Sequence, residues 1–323
     1  MISDKDAGGF AAALPYLRRQ TERALDTRAM TGEWLTPEIE LGCASGCWLY
    51  RATGTAPRPV VFELHGGGFA LGDARKGDAI RAWVRDTFDV NVVGIEYRLA
   101  PEHPFPAALN DVAGTVRRIV DGSEVKVESA RTVLMGYSAG ANLAVAYALL
   151  SQRDDSAPLV SGLALHYPCL DVAERINPSG VRACDLPVDK MAAFSAMYAG
   201  ECDKTDPLMS PVHADDSELA ALPPTAFCPV EGDALLPQAE TLYRRMVDAG
   251  ASGVWNPVAG VYHGYIEDAA DMETFRAISM PETVAARPRG FQRAAARAVK
   301  TSLEHLLGPA CRDVPFPGLE DSE

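Results

Sequence analysis

The stretch with the clearest chemical potential is Gly136-Tyr137-Ser138-Ala139-Gly140. An apolar run, Thr132-Val133-Leu134-Met135, precedes it, and a helix-compatible run, Ala141 to Leu150, follows. Strand, Gly-x-Ser-x-Gly and helix in that order expose a serine hydroxyl on a sharp turn. Gly136 and Gly140 leave out a Cβ where it would crowd the neighbouring strand or helix. The helix after the turn aims its N-terminus at the serine, where developing negative charge is stabilised.

A serine hydroxyl is a poor nucleophile until a base takes its proton and an acid orients that base. On a sheet of this kind the chain order is serine, acid, histidine. Of the six histidines, His166, His213, His263 and His305 follow Ser138. His305 lies in an amphipathic helix, His213 in an irregular insertion, and His166 comes before any suitable acid. His263, just beyond the last strand, is the expected base. Asp233 is the expected acid, at the end of the preceding strand, with Glu231 as its rival. The structural alternative for Asp233 is to serve as N-cap of the helix that begins at Leu235. The oxyanion needs convergent backbone donors. Ala139 N–H supplies one, and Gly67 and Gly68, in His65-Gly66-Gly67-Gly68, supply the others. His65 is expected to brace that loop by hydrogen bonding, and His103, between prolines, to be structural.

These residues need a sheet edge to hold them. Val60 to Leu64, Val90 to Tyr97, Val133 to Met135, Leu163 to His166, Thr225 to Val230 and Val254 to Val258 read as short apolar strands alternating with helices. That rhythm implies an α/β fold with a mostly parallel sheet and helices on both faces. A helix is expected over Ala11 to Met30 with Pro15 in its first turn. A hairpin is expected over 38–53, turning near Ala44-Ser45-Gly46. The expected organisation is an N-terminal cap region at 1–33, core at 34–169, a cap insertion at 170–222, core at 223–310 and a loose tail at 311–323.

Together the motifs resemble the hormone-sensitive-lipase-like branch of the α/β-hydrolases. His65-Gly66-Gly67-Gly68 is similar to its oxyanion motif and Gly136 to Gly140 to its nucleophile elbow. Tyr97 to Leu109, Leu222-Pro223-Pro224, Asp233 and His263-Gly264 fall at its other landmarks. Tyr137 departs from the family's usual Asp, and Ala141 from a common Gly. The resemblance implies an α/β-hydrolase fold with a helical cap and carboxylic esters of short or medium acyl chain as substrates, with no cofactor. It leaves open amide or formamide hydrolysis by the same triad, and a non-hydrolytic lyase or ligand receptor, against which the intact nucleophile and base count.

Composition narrows the field further. With 323 residues, 47% hydrophobic, the chain can bury one large core with a small appendage. A net charge of −14 disfavours nucleic acid as a partner. No run of about 18 apolar residues points to a membrane span, and the first residues lack a secretion signal. Seven scattered cysteines read as reduced thiols of a cytoplasmic protein. Cys43 and Cys47 have no second pair, so no metal is expected. The stretch 267–289, with Asp268, Asp271, Pro281 and Pro288, is longer than a simple connection. It reads either as lining for the site's mouth or as a surface for association into a homodimer.

Overall fold

The computed structural model describes residues 4–26, 28–39, 44–174, 188–270 and 288–319. Its centre is an eight-stranded sheet in the order β1-β2-β4-β3-β5-β6-β7-β8. The strands are β1 (Glu33–Leu35), β2 (Cys47–Tyr50), β3 (Arg58–Leu64), β4 (Asn91–Ile95), β5 (Val127–Tyr137), β6 (Gly162–His166), β7 (Thr225–Cys228) and β8 (Gly253–Trp255). From β4 across to β8 neighbours run parallel, while β2 is antiparallel to both β1 and β4.

Successive residues of a strand face opposite sides of a sheet, and here both sides are apolar. Val60, Phe62, Leu64 and Leu134 join one cluster with α3 (Ala107–Asp121), α4 (Ala139–Arg153) and α7 (Leu236–Asp248). Val61, Val133 and Met135 join another, with α2 (Asp78–Phe88), α8 (Tyr265–Ala270) and α9 (Pro288–Leu307). The absence of polar alternation in these strands therefore reflects a sheet covered on both faces.

Register decides where the loops emerge. Leu64 lies beside Gly136, Tyr137 beside His166, and His166 beside Cys228. The segments that leave β3, β5, β6 and β7 therefore share one edge, the carboxyl edge of the parallel strands, where α/β proteins build their sites.

Two more helices, α1 (Asp4–Leu25) and α5 (Val188–Ala199), pack together over that edge. Phe10 meets Phe194 edge-on at 5.0 Å, and Leu14 and Phe194 are buried with Ala70. Of the rest of the stretch expected as a cap, Met209, Val212, Ala214, Leu219 and Leu222 join the principal core instead. Leu219 belongs to the short helix α6 (Asp216–Ala220), closed by a capping box between Asp215 and Glu218.

Three expectations need correction. Helix α1 starts at Asp4, so Pro15 lies in its interior, not its first turn. Leu14, buried just before Pro15, and Phe10, packed against Phe194 a turn earlier, carry the helix past a residue that cannot donate its backbone N–H. The N-terminal hairpin pairs Glu33–Leu35 with Cys47–Tyr50. Its register follows the cross-strand pair Trp34–Trp48, at 5.0 Å, whereas Ile39 is exposed and residues 40–43, with Leu41 and Cys43, lie outside the described residues. The C-terminal stretch is docked through residue 319. Trp83 Nε1 donates to Val314 O at 2.9 Å, and Phe316 packs edge-on against Trp83 at 5.1 Å. Phe316 is the buried anchor, and the N–H groups of Cys311 and Arg312 on Thr87 O and the packing of Val314 and Leu319 add to it.

Residues 271–287, which contain Asp271 and Pro281, lie outside the described residues. Among the described residues no helix is long and apolar enough to cross a membrane, and no grouping of side chains could hold a metal ion.

One of the rejected histidines carries a testable consequence for stability. His166 is fully buried at the end of β6, with Nε2 3.4 Å from Ser302 Oγ. Burial lowers its pKa from 6.5 to about 3. The unfolded chain therefore takes up a proton that the native state refuses. Stability is complete above about pH 6.5 and is lost as pH falls toward 3. Between pH 7 and 4.5 this one group should remove about 2 kcal/mol. Urea unfolding of His166→Gln at the two pH values should show a correspondingly smaller acid loss than the parent; an equal loss would refute the assignment.

Candidate active site

The elbow is held in an unusual backbone state. Ser138 has φ 52° and ψ −113°, a region that residues with a Cβ avoid. Its N–H donates to His166 O at 3.0 Å, and its carbonyl accepts from Ala141, Asn142 and Cys169 N–H. Gly136 is a glycine because a Cβ there would strike the Gly140 carbonyl, and Gly140 because a Cβ would strike the carbonyl of Leu64.

The structure brings together the three side chains singled out from the sequence. Ser138 Oγ lies 2.8 Å from His263 Nε2, and His263 Nδ1 lies 2.7 Å from Asp233 Oδ2. A carboxylate can only accept, so Nδ1 carries the proton and Nε2 is left as the acceptor for the serine hydroxyl. Asp233 is buried and its other oxygen accepts from Leu235 N–H at 3.1 Å. It thus fills both the loop-capping role and the histidine-orienting one. Glu231, the rival acid, is exposed and its N–H is tied to Val258 O. His213 sits 3.4 Å from Asp171, away from the serine.

The glycine loop is braced from several directions. Tyr97 Oη donates to His65 O at 2.8 Å and its ring stacks on the imidazole at 4.1 Å. His65 Nδ1 donates to Gly66 O at 2.8 Å, the bracing role expected of it. Burial drags the His65 pKa down to about 4, so this ring is neutral at neutral pH. Leu71 N–H closes a turn onto Gly67 O, and Ala100 N–H holds Phe69 O. Gly67 and Gly68 have φ of 123° and 60°, conformations open to glycine. Among the described residues the N–H groups of Gly67, Gly68 and Ala139 have no hydrogen-bond partner. Ala139 is the first residue of α4, whose opening N–H groups have none within the helix.

Three residues at the site escaped the sequence reading. Tyr167, at φ 37°, sets its ring edge-on to His263 at 5.0 Å. Phe194 of α5 lies where a Cβ on Gly68 would be. Glu267 accepts from Gly66 N–H at 3.0 Å. Only Glu267 left a trace, as an acid in the otherwise apolar-aromatic opening of α8, Tyr265-Ile266-Glu267.

Known proteins agree with this architecture. Residues 61–267 match the sequence model of a family described as alpha/beta hydrolase fold. This chain belongs to that family. It falls in the hormone-sensitive-lipase-like carboxylesterase branch that the motifs resemble. Esterase LipI of Mycobacterium tuberculosis is 33% identical over 225 residues, 68% of this chain and 69% of that one. An acetyl-hydrolase of Streptomyces hygroscopicus is 31% identical over 241 residues, 73% of each chain. The crystal structure of EstE1, a thermostable carboxylesterase cloned from a metagenomic library, superposes with a TM-score of 0.71 at 28% identity. That match covers 90% of this chain and 97% of EstE1.

The contact between Gly68 and Phe194 can be isolated against a control. Gly54 also has a left-handed φ, 85°, but open space where its Cβ would go. Gly68→Ala should cost at least about 1 kcal/mol more than Gly54→Ala in chemical denaturation, because the overpacking adds to the backbone strain. Placing Gly68→Ala in a Phe194→Ala background should shrink that excess. An unchanged excess would show that the ring is not the obstacle.

Proposed function

We propose that this chain is a serine carboxylesterase that hydrolyses short- to medium-chain acyl esters of small molecules. The observation that carries the proposal is the continuous hydrogen-bonded relay from Ser138 through His263 to Asp233, at 2.8 and 2.7 Å. Ser138 Oγ attacks the ester carbonyl as His263 Nε2 takes its proton. Asp233 keeps the imidazole in the required tautomer and stabilises the imidazolium. The N–H groups of Gly67, Gly68 and Ala139 receive the tetrahedral oxyanion, their want of other partners being what supports the role. The imidazolium returns its proton to the departing alcohol. Water, deprotonated by His263, then releases the acid from the acyl-enzyme.

The preference for modest acyl chains is supported by the names of relatives, an acetyl-hydrolase among them. The apolar cluster of Cys169, Ala234 and Leu235, with Met191 against it, is next to Asp233 in the chain and small. Burial raises the Cys169 thiol to about 12, so it serves there as an apolar wall and not as a competing nucleophile.

Turnover of p-nitrophenyl acetate, butyrate, octanoate and palmitate should show an optimum at or below octanoate. Ser138→Ala should lower kcat by a factor of about 10³ or more, and a fluorophosphonate probe should label Ser138 and no other residue. Retained turnover in Ser138→Ala would overturn the mechanism. Cleavage of the matching anilides with no ester turnover would turn the reading toward an amidase.

A further inference from the structure

The first glycine of the loop, Gly66, poses a question that the proposed chemistry leaves unanswered. Gly67 and Gly68 need positive φ, but Gly66 does not share that conformation. A Cβ on Gly66 would instead fall 2.7 Å from Glu267 Oε2 and 3.3 Å from Tyr137 O. The other oxygen of the same carboxyl accepts the Gly66 N–H at 3.0 Å. A side chain at residue 66 would press on this carboxyl group, which is brought from 201 residues away. We propose that Glu267 is a positioning residue for the oxyanion hole, holding the Gly66 peptide so that the next two N–H groups converge on the reacting carbonyl. The inference rests on the roles given above to Gly67 and Gly68.

The surroundings favour reach over charge as the property that matters. Part of Glu267 meets solvent, yet its carboxyl is packed deep among protein atoms, and burial pushes its pKa up to about 7. Lys76, from the turn before α2, and the Gly66 N–H itself oppose that rise. Asp268 beside it in α8 and Glu63 in β3 reinforce it. Burial raises the phenols of Tyr97, Tyr137 and Tyr167, at or just beyond the ends of β4, β5 and β6, and they lie close enough for the charge of Glu267 to hold them up further. Near neutrality the carboxyl is thus divided between two forms. A carbonyl oxygen accepts an N–H in either form, so the Gly66 bond survives a loss of charge but not a loss of length. Glu267 fixes the His65–Gly66 peptide by its N–H and His65 Nδ1 fixes the next one by Gly66 O, so the two planes on either side of Gly66, and with them the Gly67 N–H, are set together. Oxyanion donors are worth most when aimed in advance, and small misplacements cost far more than their size suggests.

Two conservative variants separate the properties. Glu267→Gln keeps the reach and removes the charge; Glu267→Asp keeps the charge and withdraws it by one methylene. With p-nitrophenyl butyrate, Glu267→Asp should lose about tenfold or more in kcat with KM within about threefold, the pattern of an interaction made in the transition state. Its inhibition constant for a trifluoromethyl ketone, which presents a tetrahedral oxyanion, should rise in step with the fall in kcat/KM. Glu267→Gln should stay within about threefold of the parent on all three measures. Equal damage in both variants, an effect on KM alone, or no effect in Glu267→Asp would overturn the proposal. Labelling of Ser138 by fluorophosphonate and the Ser138→Ala control tell the failures apart. If Ser138→Ala still turns over, the reading of the whole site fails. If Ser138→Ala is inactive and Glu267→Asp is unimpaired, only the role of Glu267 falls.

Discussion

A serine held at a positive φ is the constraint from which the rest of this molecule follows. The conformation costs on the order of 1–3 kcal/mol and persists only where its neighbours over-determine it. Here β6 supplies the carbonyl of His166, the turn after β6 supplies the N–H of Cys169, and α4 supplies two N–H groups from its first turn. The glycines on either side are pressed against Gly140 and Leu64 carbonyls, so three strands and a helix meet within one turn. What that arrangement achieves is a hydroxyl projecting from the sheet with its backbone immobile. The hydroxyl can then sit 2.8 Å from an imidazole brought from 125 residues away.

The layer beneath the glycine loop is polar, and it is fitted together with similar closeness. Arg81 and Glu63 form a 2.7 Å ion pair at 0% and 1% exposure. Such a pair is a weak source of net stability, since desolvation offsets much of the attraction, but removing one partner would strand the other charge. Burial is the largest single influence on Arg81 and works against its charge, but the attraction of Glu63 and Tyr50 and the hydrogen bonds to both together outweigh it, and the guanidinium stays charged. Tyr50 Oη and Ala74 O accept from its Nη2. Gly77 and Gly94 are glycines because Arg81 fills the space of their Cβ atoms. Glu63 is two residues from His65 along the same strand, so the pair anchors the stem of the loop that ends in Gly67 and Gly68.

These contacts explain which parts could be read from the chain. The six parallel strands and the order of nucleophile, acid and base depend on local apolar runs and chain order, and both are visible in sequence. Gly94 inside an apolar strand, or Gly66 before two glycines that need positive φ, looks like one glycine among others. Its cause is a side chain distant in sequence. The same is true of Glu267, which becomes meaningful only when β3 and α8 are side by side. Pro15 and the hairpin were misjudged for a related reason. Local breaker and alternation signals were overridden by Phe10, Leu14 and the Trp34–Trp48 pair, whose partners are tertiary or cross-strand. In the tail, Phe316 finds Trp83, a partner more than two hundred residues earlier.

The loop that carries Gly67 and Gly68 is thus gripped from two sides by elements with different duties. From within the core, Tyr97, His65 and Glu267 hold its backbone polar groups. From the cap side, Arg18 of α1 donates to the carbonyls of Ala70 and Ala100, and Phe194 of α5 covers Gly68. The inner contacts are hydrogen bonds with fixed directions, suited to aiming N–H groups. Arg18 adds directed bonds from that side too, but what covers Gly68 itself is a ring, Phe194, with Phe10 edge-on to it and Lys190 over both, and rings tolerate sliding better than directed bonds do. Change in the cap can therefore reshape the space above Gly68 while the aim of the donors stays with the core. That division lets one sheet edge keep the Ser138–His263–Asp233 geometry as the helices over it vary.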